Sequence, residues 1–429
     1  MEKLPVEGYC DPKFEKIKSV FSKAIESGHE LGASLAIEHK GEMVVNLFGG
    51  HKDVNREQPW EQKTWVNVFS VTKAVTATCI AKLIDEGKLD FNEKVTAYWP
   101  EYGKNGKENT KVSDFLCHRA GMFGFSDGLP ITNWTKWEHF TNALQNQKPL
   151  RKPGSSQGYH ALTYGWLVGE ILKRVDGRTV GKYFEEEIAI PFGIDFKIGL
   201  THEDFDKCAD MVMMERDVAG TFPLERIKYV PSFLLPRKLK NLKNAIIEGD
   251  FYLAFQSLAQ GAGLRGVNDP EWRCAEIPSA NGHGSAEGLA KLFGILSSGG
   301  SRDGKKIISP ETLDIITTKF SNGPDTVLMG ADAAFGLGYM LYHKKARIEE
   351  STRYSKGYFG HAGIGGAVAY GDKDKDLGYA FICNKEHKVL ELYKTSNQIS
   401  KALHSICLLY TSDAADDSLR VDLGGRRII

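Results

Sequence analysis

The chain has 429 residues, 41% hydrophobic and 26% charged, with 55 basic against 55 acidic side chains. That length allows two domains with a sizeable core, and the balanced charge argues against a nucleic-acid-coating protein or a strongly basic or acidic scaffold. The 45 glycines follow no repeat, and no stretch approaches the roughly 20 apolar residues of a membrane span.

Met1 to Cys10 is polar and lacks the apolar core of a signal peptide, so the reading is a soluble cytoplasmic protein. Asp11 then suits a helix cap and Pro12 the first helical position. Phe14, Ile17, Val20, Phe21, Ala24 and Ile25 form one stripe, and Gly28 suits the helix end. Gly32–His39 and Glu42–Phe48 alternate around Lys40-Gly41, which predicts a β-hairpin. Residues 66–320 carry mostly helical pattern and loops. Strand signal returns at Phe359–Tyr370 and again at Gly378–Asn384, across a charged turn at Lys373–Asp376, before an amphipathic helix over 388–406.

Strands at both ends with helices between them predict an α/β (α+β) fold. One antiparallel sheet is built from both chain ends and flanked by helices, with a mostly helical domain inserted. The expected division is 1–65 with 290–406 as the discontinuous sheet domain and 66–289 as the helical domain. Within the latter, 229–260 sets Arg237, Lys238, Lys240 and Lys243 among Leu234, Leu235, Leu239, Leu242 and Ile246. That stretch reads as a solvated amphipathic helix covering the core, with a lid or membrane-surface helix as the alternative.

Of seven cysteines, Cys407 lies in the C-terminal stretch 407–429; the other six, Cys10, Cys79, Cys117, Cys208, Cys274 and Cys383, stand far apart with no CxxC, and the twelve histidines show no HExxH. No metal and no cofactor is assigned, and the thiols read as reduced and mostly buried. Cys407–Asp417 resembles a translated transposase library adapter and Val421–Ile429 a translated flow-cell primer. Residues 407–429 are accordingly read as sequencing read-through fused at Ile406, which leaves any C-terminal targeting signal illegible.

The chemistry centres on Ser70-Val71-Thr72-Lys73, the chain's single Ser-x-x-Lys. Ala74 to Glu86 are helix formers, apolar nearly all round, and end at Gly87. Ser70 therefore sits at the first turn of a buried helix with Lys73 one turn on, on the same face. A lysine whose pKa is lowered by burial can serve as the base a serine hydroxyl needs. Alone the motif is weak. A second candidate, Gly154-Ser155-Ser156-Gln157-Gly158, matches the nucleophile elbow Gly-x-Ser-x-Gly. The polar stretch before it, ending in Pro153, supplies no buried strand, which argues against Ser156.

Gln157-Gly158-Tyr159-His160-Ala161 leads into another amphipathic helix, and Phe359-Gly360-His361-Ala362-Gly363-Ile364-Gly365-Gly366 opens a strand near the end. In the order nucleophile helix, tyrosine loop, glycine-rich strand, these resemble the serine β-lactamase and penicillin-binding-protein superfamily. Within it the chain is similar to the class C-related branch that holds family VIII carboxylesterases and animal β-lactamase-domain proteins. The resemblance runs from about residue 8 to 406 and includes Val68-Phe69-Ser70, His118-Arg119-Ala120-Gly121-Met122, Ser279-Ala280-Asn281-Gly282-His283-Gly284 and Phe335-Gly336-Leu337-Gly338-Tyr339.

The resemblance implies Ser70 as the acylated nucleophile, with Lys73 and Tyr159 sharing its proton and later activating water. It implies an oxyanion hole made by the backbone N–H groups of Ser70 and Ile364. His361-Ala362-Gly363 takes the place of Lys-Thr-Gly as a wall of the substrate site. Two departures shape the substrate expectation. Ala161 replaces the asparagine whose amide holds an acylamino side chain, and His361, at most partly charged near neutral pH, replaces a fixed cation. A small carboxylic ester needs neither group. The expected partner is thus a small-molecule ester, with no nucleic acid. An amidase, peptidase or weak β-lactamase on the same site, or a binding or filament-forming protein with this fold, are the alternatives.

Overall fold

The structure, a computed structural model, describes residues 6–128, 134–213, 229–236, 249–259, 264–346, 349–388 and 391–406, with 239, 240, 243 and 247 singly. Residues 407–429, read above as adapter sequence, lie outside the described residues.

Asp11 accepts a hydrogen bond from the Lys13 N–H at 2.9 Å. It opens a short 3-10 turn, Pro12–Phe14, that continues as helix α1, Glu15–Glu26. Phe14, Ile17 and Phe21 turn inward, each burial stabilising by about 1.5–3 kcal/mol. The hairpin follows as Gly32–His39 and Glu42–Gly50. Its two turn residues, Lys40 (φ 52°) and Gly41 (φ 84°), both take the positive φ that a two-residue hairpin turn with right-handed strand twist requires.

Among the described residues the main sheet has nine strands. In spatial order they are Glu7–Cys10, Glu42–Gly50, Gly32–His39, Leu377–Cys383, Val368–Asp372, Tyr358–Ala362, Met340–Leu341, Asp332–Phe335 and Ser321–Pro324. Every pairing is antiparallel. The two chain ends meet where Gly32–His39 pairs with Leu377–Cys383, His39 opposite Leu377 and Ala33 opposite Cys383. Helices cover both faces. Ile17 and Phe21 of α1, with Ile399, Ala402 and Leu403 of helix 394–406, pack on Leu35, Ile37 and Phe381. On the other face Ala36, Phe359 and Ala380 join a cluster that runs without a break through helix Ala286–Ser297 into the central helices of the insertion.

The structure corrects several sequence expectations. Phe359–Tyr370 is not one strand but two, Tyr358–Ala362 and Val368–Asp372. The glycines between them fold a tight turn in which the Gly363 N–H donates to Ala367 O (2.7 Å) and the Gly366 N–H to Gly363 O (2.9 Å). Glu7–Cys10 adds an edge strand that the polar N-terminus did not announce. The insertion carries its own small sheet of Val66–Asn67, Gly282–Gly284 and Phe196–Ile198. The last helix starts at 394 rather than 388.

In 229–260 the residues Arg237, Lys238, Leu242 and Ile246 of the expected amphipathic face lie outside the described residues. Phe233 is 80% exposed and Leu234, Leu239 and Ile247 also face solvent, while Lys243 turns inward and donates to Val230 O at 2.6 Å. Among the described residues no helix is long and apolar enough to cross a membrane.

Candidate active site

Helix α2, Val71–Asp85, is buried on nearly all sides, as its run of alanines, threonines and aliphatics demands. The small strand Val66–Asn67 feeds into it through Phe69, whose φ of 47° is a left-handed conformation that a bulky side chain rarely adopts. That bend places Ser70 at the helix N-cap, half-buried, where the dipole of α2 favours negative charge.

Lys73, one turn further, is completely buried. Its Nζ donates to Ala161 O at 2.7 Å and to Ser279 O at 2.9 Å, and lies 3.1 Å from Ser70 Oγ. Among the described residues no carboxylate pairs with it, and desolvation holds its pKa well below the ordinary lysine value. A neutral amine has two N–H bonds and one lone pair. In that form, with the two carbonyls taking the two N–H groups, the lone pair would face Ser70 Oγ.

Tyr159 is held by its backbone. Its N–H donates to Asp325 Oδ1 at 3.0 Å, and the same oxygen accepts from the N–H groups of Val327 and Leu328 at 2.9 Å each. Lys73 Nζ stands 4.9 Å from the tyrosine ring centre. Burial raises the phenol pKa above its usual 10, against a hydrogen bond to Ser70 that lowers it, so Tyr159 is a neutral phenol.

Three buried imidazoles complete the surroundings. His160 accepts from the Met122 N–H on Nε2 (3.1 Å), and its Nδ1 pairs with Gly158 O (2.7 Å), which assigns the proton to Nδ1. His118, held at φ 62°, accepts the His160 N–H on Nδ1 at 3.1 Å. Its ring centre lies 4.8 Å from that of Tyr159. His361 pairs its Nδ1 with Ala362 O at 2.9 Å and leaves Nε2 enclosed without a hydrogen-bond partner. Desolvation pushes His160 and His361 down to about 3 and His118 well below its ordinary value. Burial therefore favours the neutral form of all three rings.

The turn after His361 lies directly against the entry to α2. A Cβ at Gly363 would stand 2.2 Å from Val68 O, and one at Gly365 would stand 2.6 Å from the Phe69 ring. Only glycine allows this approach, and it sets Ile364 beside the Ser70 turn. Among the described residues neither the Ser70 N–H nor the Ile364 N–H has a hydrogen-bond partner.

The structure thus gathers Ser70, Lys73, Tyr159, His361 and the 362–364 turn into one place. Ala161 belongs to it through its carbonyl rather than its side chain. Ser156 does not: it follows a turn at 153–155, half-buried at Pro153 and Gly154, with no strand leading into it. The sequence reading missed Asp325 and the roles of His118, His160 and Ser279, because backbone carbonyls and tautomers leave no residue signature. The His118-Arg119-Ala120-Gly121-Met122 and Ser279–Gly284 motifs were the available signals.

Sequence and fold are similar to those of known proteins. The family model described as Beta-lactamase matches residues 17–402. The chain is 28% identical over 385 residues to the esterase/beta-lactamase LipL of Mycobacterium tuberculosis, covering 89% of this chain and 83% of that protein. A crystal structure of a family VIII carboxylesterase superposes with a TM-score of 0.81 at 29% identity, over 94% of this chain and all of the other. A penicillin-binding protein homologue from Caulobacter crescentus gives 0.79 at 34%, with the same coverage.

Proposed function

Because the chain belongs to the beta-lactamase family, and is a serine hydrolase of it, we propose that it cleaves small carboxylic esters through an acyl-enzyme on Ser70. The observation that carries the proposal is the hydrogen bonding of Lys73. Once it loses its proton, which burial favours, an amine whose two N–H bonds are spent on Ala161 O and Ser279 O can act on Ser70 only as a base.

In this mechanism Ser70 Oγ attacks the ester carbonyl carbon as its proton passes to Lys73 Nζ. The oxygen that gains charge sits between the Ser70 and Ile364 N–H groups, where one donor is worth about 2.7–4 kcal/mol. Collapse breaks the bond to the alcohol, which leaves with the proton returned by Lys73 through the Tyr159 hydroxyl. Water then attacks the acyl-Ser70 carbonyl and gives its proton to the same amine, and Ser70 departs protonated. Tyr159 stays a neutral phenol and relays protons rather than acting as phenolate.

Neutral His361 has no charge to offer a substrate carboxylate, and Ala161 has no side-chain amide. Both favour an ester over a β-lactam or a peptide. LipL and the family VIII carboxylesterase carry esterase names, which points the same way. The test compares kcat/KM for p-nitrophenyl butyrate and nitrocefin in the wild type, Ser70→Ala and Ser156→Ala. Ester turnover well above lactam turnover, abolished only by Ser70→Ala, is expected. Faster nitrocefin turnover, or loss only in Ser156→Ala, overturns the proposal.

A further inference from the structure

Far along the sequence from Ser70 and Lys73, a second group of chemically competent side chains converges. His29 and Glu30 come from the loop between α1 and strand Gly32–His39. His387 follows strand Leu377–Cys383. One ligand atom from each lies within 4.8 Å of the other two. His387 Nε2 is 3.1 Å from Glu30 Oε2, and His29 Nε2 is 3.9 Å from Glu30 Oε1. The imidazole rings stack with centres 4.2 Å apart at 11°. His29 Nε2 is shielded from solvent and has no hydrogen-bond partner, since 3.9 Å is too long for one. Glu30 is buried, and Thr395 Oγ1, on helix 394–406, donates to its Oε1 at 2.6 Å.

We propose that His29, Glu30 and His387 form a binding site for a divalent transition metal of the zinc class. Two imidazole nitrogens and one carboxylate oxygen are a borderline donor set that suits zinc, whereas magnesium and calcium call for oxygen ligands. Ligands about 2.0–2.2 Å from one ion lie roughly 3–3.5 Å apart. The Glu30–His387 spacing already meets that, whereas His29, within 4.8 Å of the others, must approach by about 1 Å or more and turn out of the imidazole stack to complete the set. Thr395 supplies the outer hydrogen bond that orients a ligating carboxylate. A bound ion would join the α1 loop, the exit of the central strand and the C-terminal helix. The sequence pattern concealed the set because Glu30 and His387 are 357 residues apart, which no short spacing motif spans.

The alternative is a buried Glu30–His387 ion pair with a stacked second imidazole and no affinity for metal. Chelator-stripped full-length protein, titrated with ZnCl2 in a calorimeter, separates the two. The expected result is one saturable site that excess magnesium or calcium does not displace. His387→Ala and His29→Gln should each remove it, Thr395→Val should weaken it about 10- to 100-fold, and zinc should raise the Tm of the wild type alone. His29 is half-exposed, so His29→Gln decides the matter if His387→Ala fails to fold. No saturable binding, or binding unchanged in His29→Gln, overturns the proposal.

Discussion

Gly363→Ala tests the placement of the Ile364 N–H without touching any side chain that carries chemistry. The added methyl would sit 2.2 Å from Val68 O and 3.2 Å from Phe69 Cβ. That is more than about 1 Å inside ordinary contact. Neither neighbour can yield cheaply. Val68 O is backbone, and Phe69 is fixed at positive φ between Val68 and the N-cap of α2. The 363–365 turn must therefore withdraw by about 1 Å, carrying the Ile364 N–H with it. Displacement on that scale, or loss of one oxyanion donor, costs about 10²-fold in kcat. The assay is steady-state hydrolysis of p-nitrophenyl butyrate, normalised to folded protein by circular dichroism. Gly177→Ala is the control: its φ of 92° ends helix Thr163–Asp176, so it destabilises without bearing on the site. We expect kcat to fall about 100-fold in Gly363→Ala and to stay within twofold in Gly177→Ala. Equal activity in Gly363→Ala and the wild type would refute the oxyanion placement.

Other expectations follow from the same geometry. Lys73→Arg keeps a long basic side chain but cannot provide a lone pair at accessible pH, so acylation should drop by about 10²–10⁴-fold; a variant within tenfold of wild type contradicts the base assignment. The lowered pKa of Lys73 places the acidic limb of the kcat/KM profile below the ordinary lysine range, with activity rising as pH rises and the amine loses its proton. An acidic limb near pH 10 would show a lysine charged at neutrality. Glu349 is pushed from 4.5 up to about 7 by burial. The folded state therefore holds a proton that the unfolded state releases. The stability this contributes is complete below pH 4.5 and is lost as pH rises through about 7. Glu349→Gln should flatten that decline, worth about 3 kcal/mol by pH 8, as read by urea unfolding at pH 5 and pH 8; parallel curves would contradict it.

Much of this arrangement was legible because local chemistry and global position coincide. Asp11-Pro12 starts a helical segment, Lys40-Gly41 turns the hairpin, and Ser70 caps the helix that buries Lys73. The outer strands Asp332–Phe335 and Ser321–Pro324 were missed because both are four residues long and show no period-2 alternation, and the second carries Gly323 and Pro324. The turn at 363–367 was missed because glycine within a strand pattern also reads as a bulge. In 229–260 the pattern places apolar residues on one face without saying what covers it, and Leu234 and Leu239 face solvent. At the site, residue types pointed to Ser70, Lys73 and Tyr159. The atoms that orient the Lys73 amine, Ala161 O and Ser279 O, belong to backbone that any residue would supply.

The central claim is that Ser70 is the nucleophile and Lys73 its base. Labelling the folded protein with a fluorophosphonate and mapping the adduct by peptide mass spectrometry, in the wild type and in Lys73→Arg, tests both parts at once. The account predicts a single adduct on Ser70 that forms at least 100-fold more slowly in the variant, in line with the loss of a general base worth roughly 10²–10⁴. An adduct on Ser156, or a labelling rate indifferent to Lys73, would contradict it.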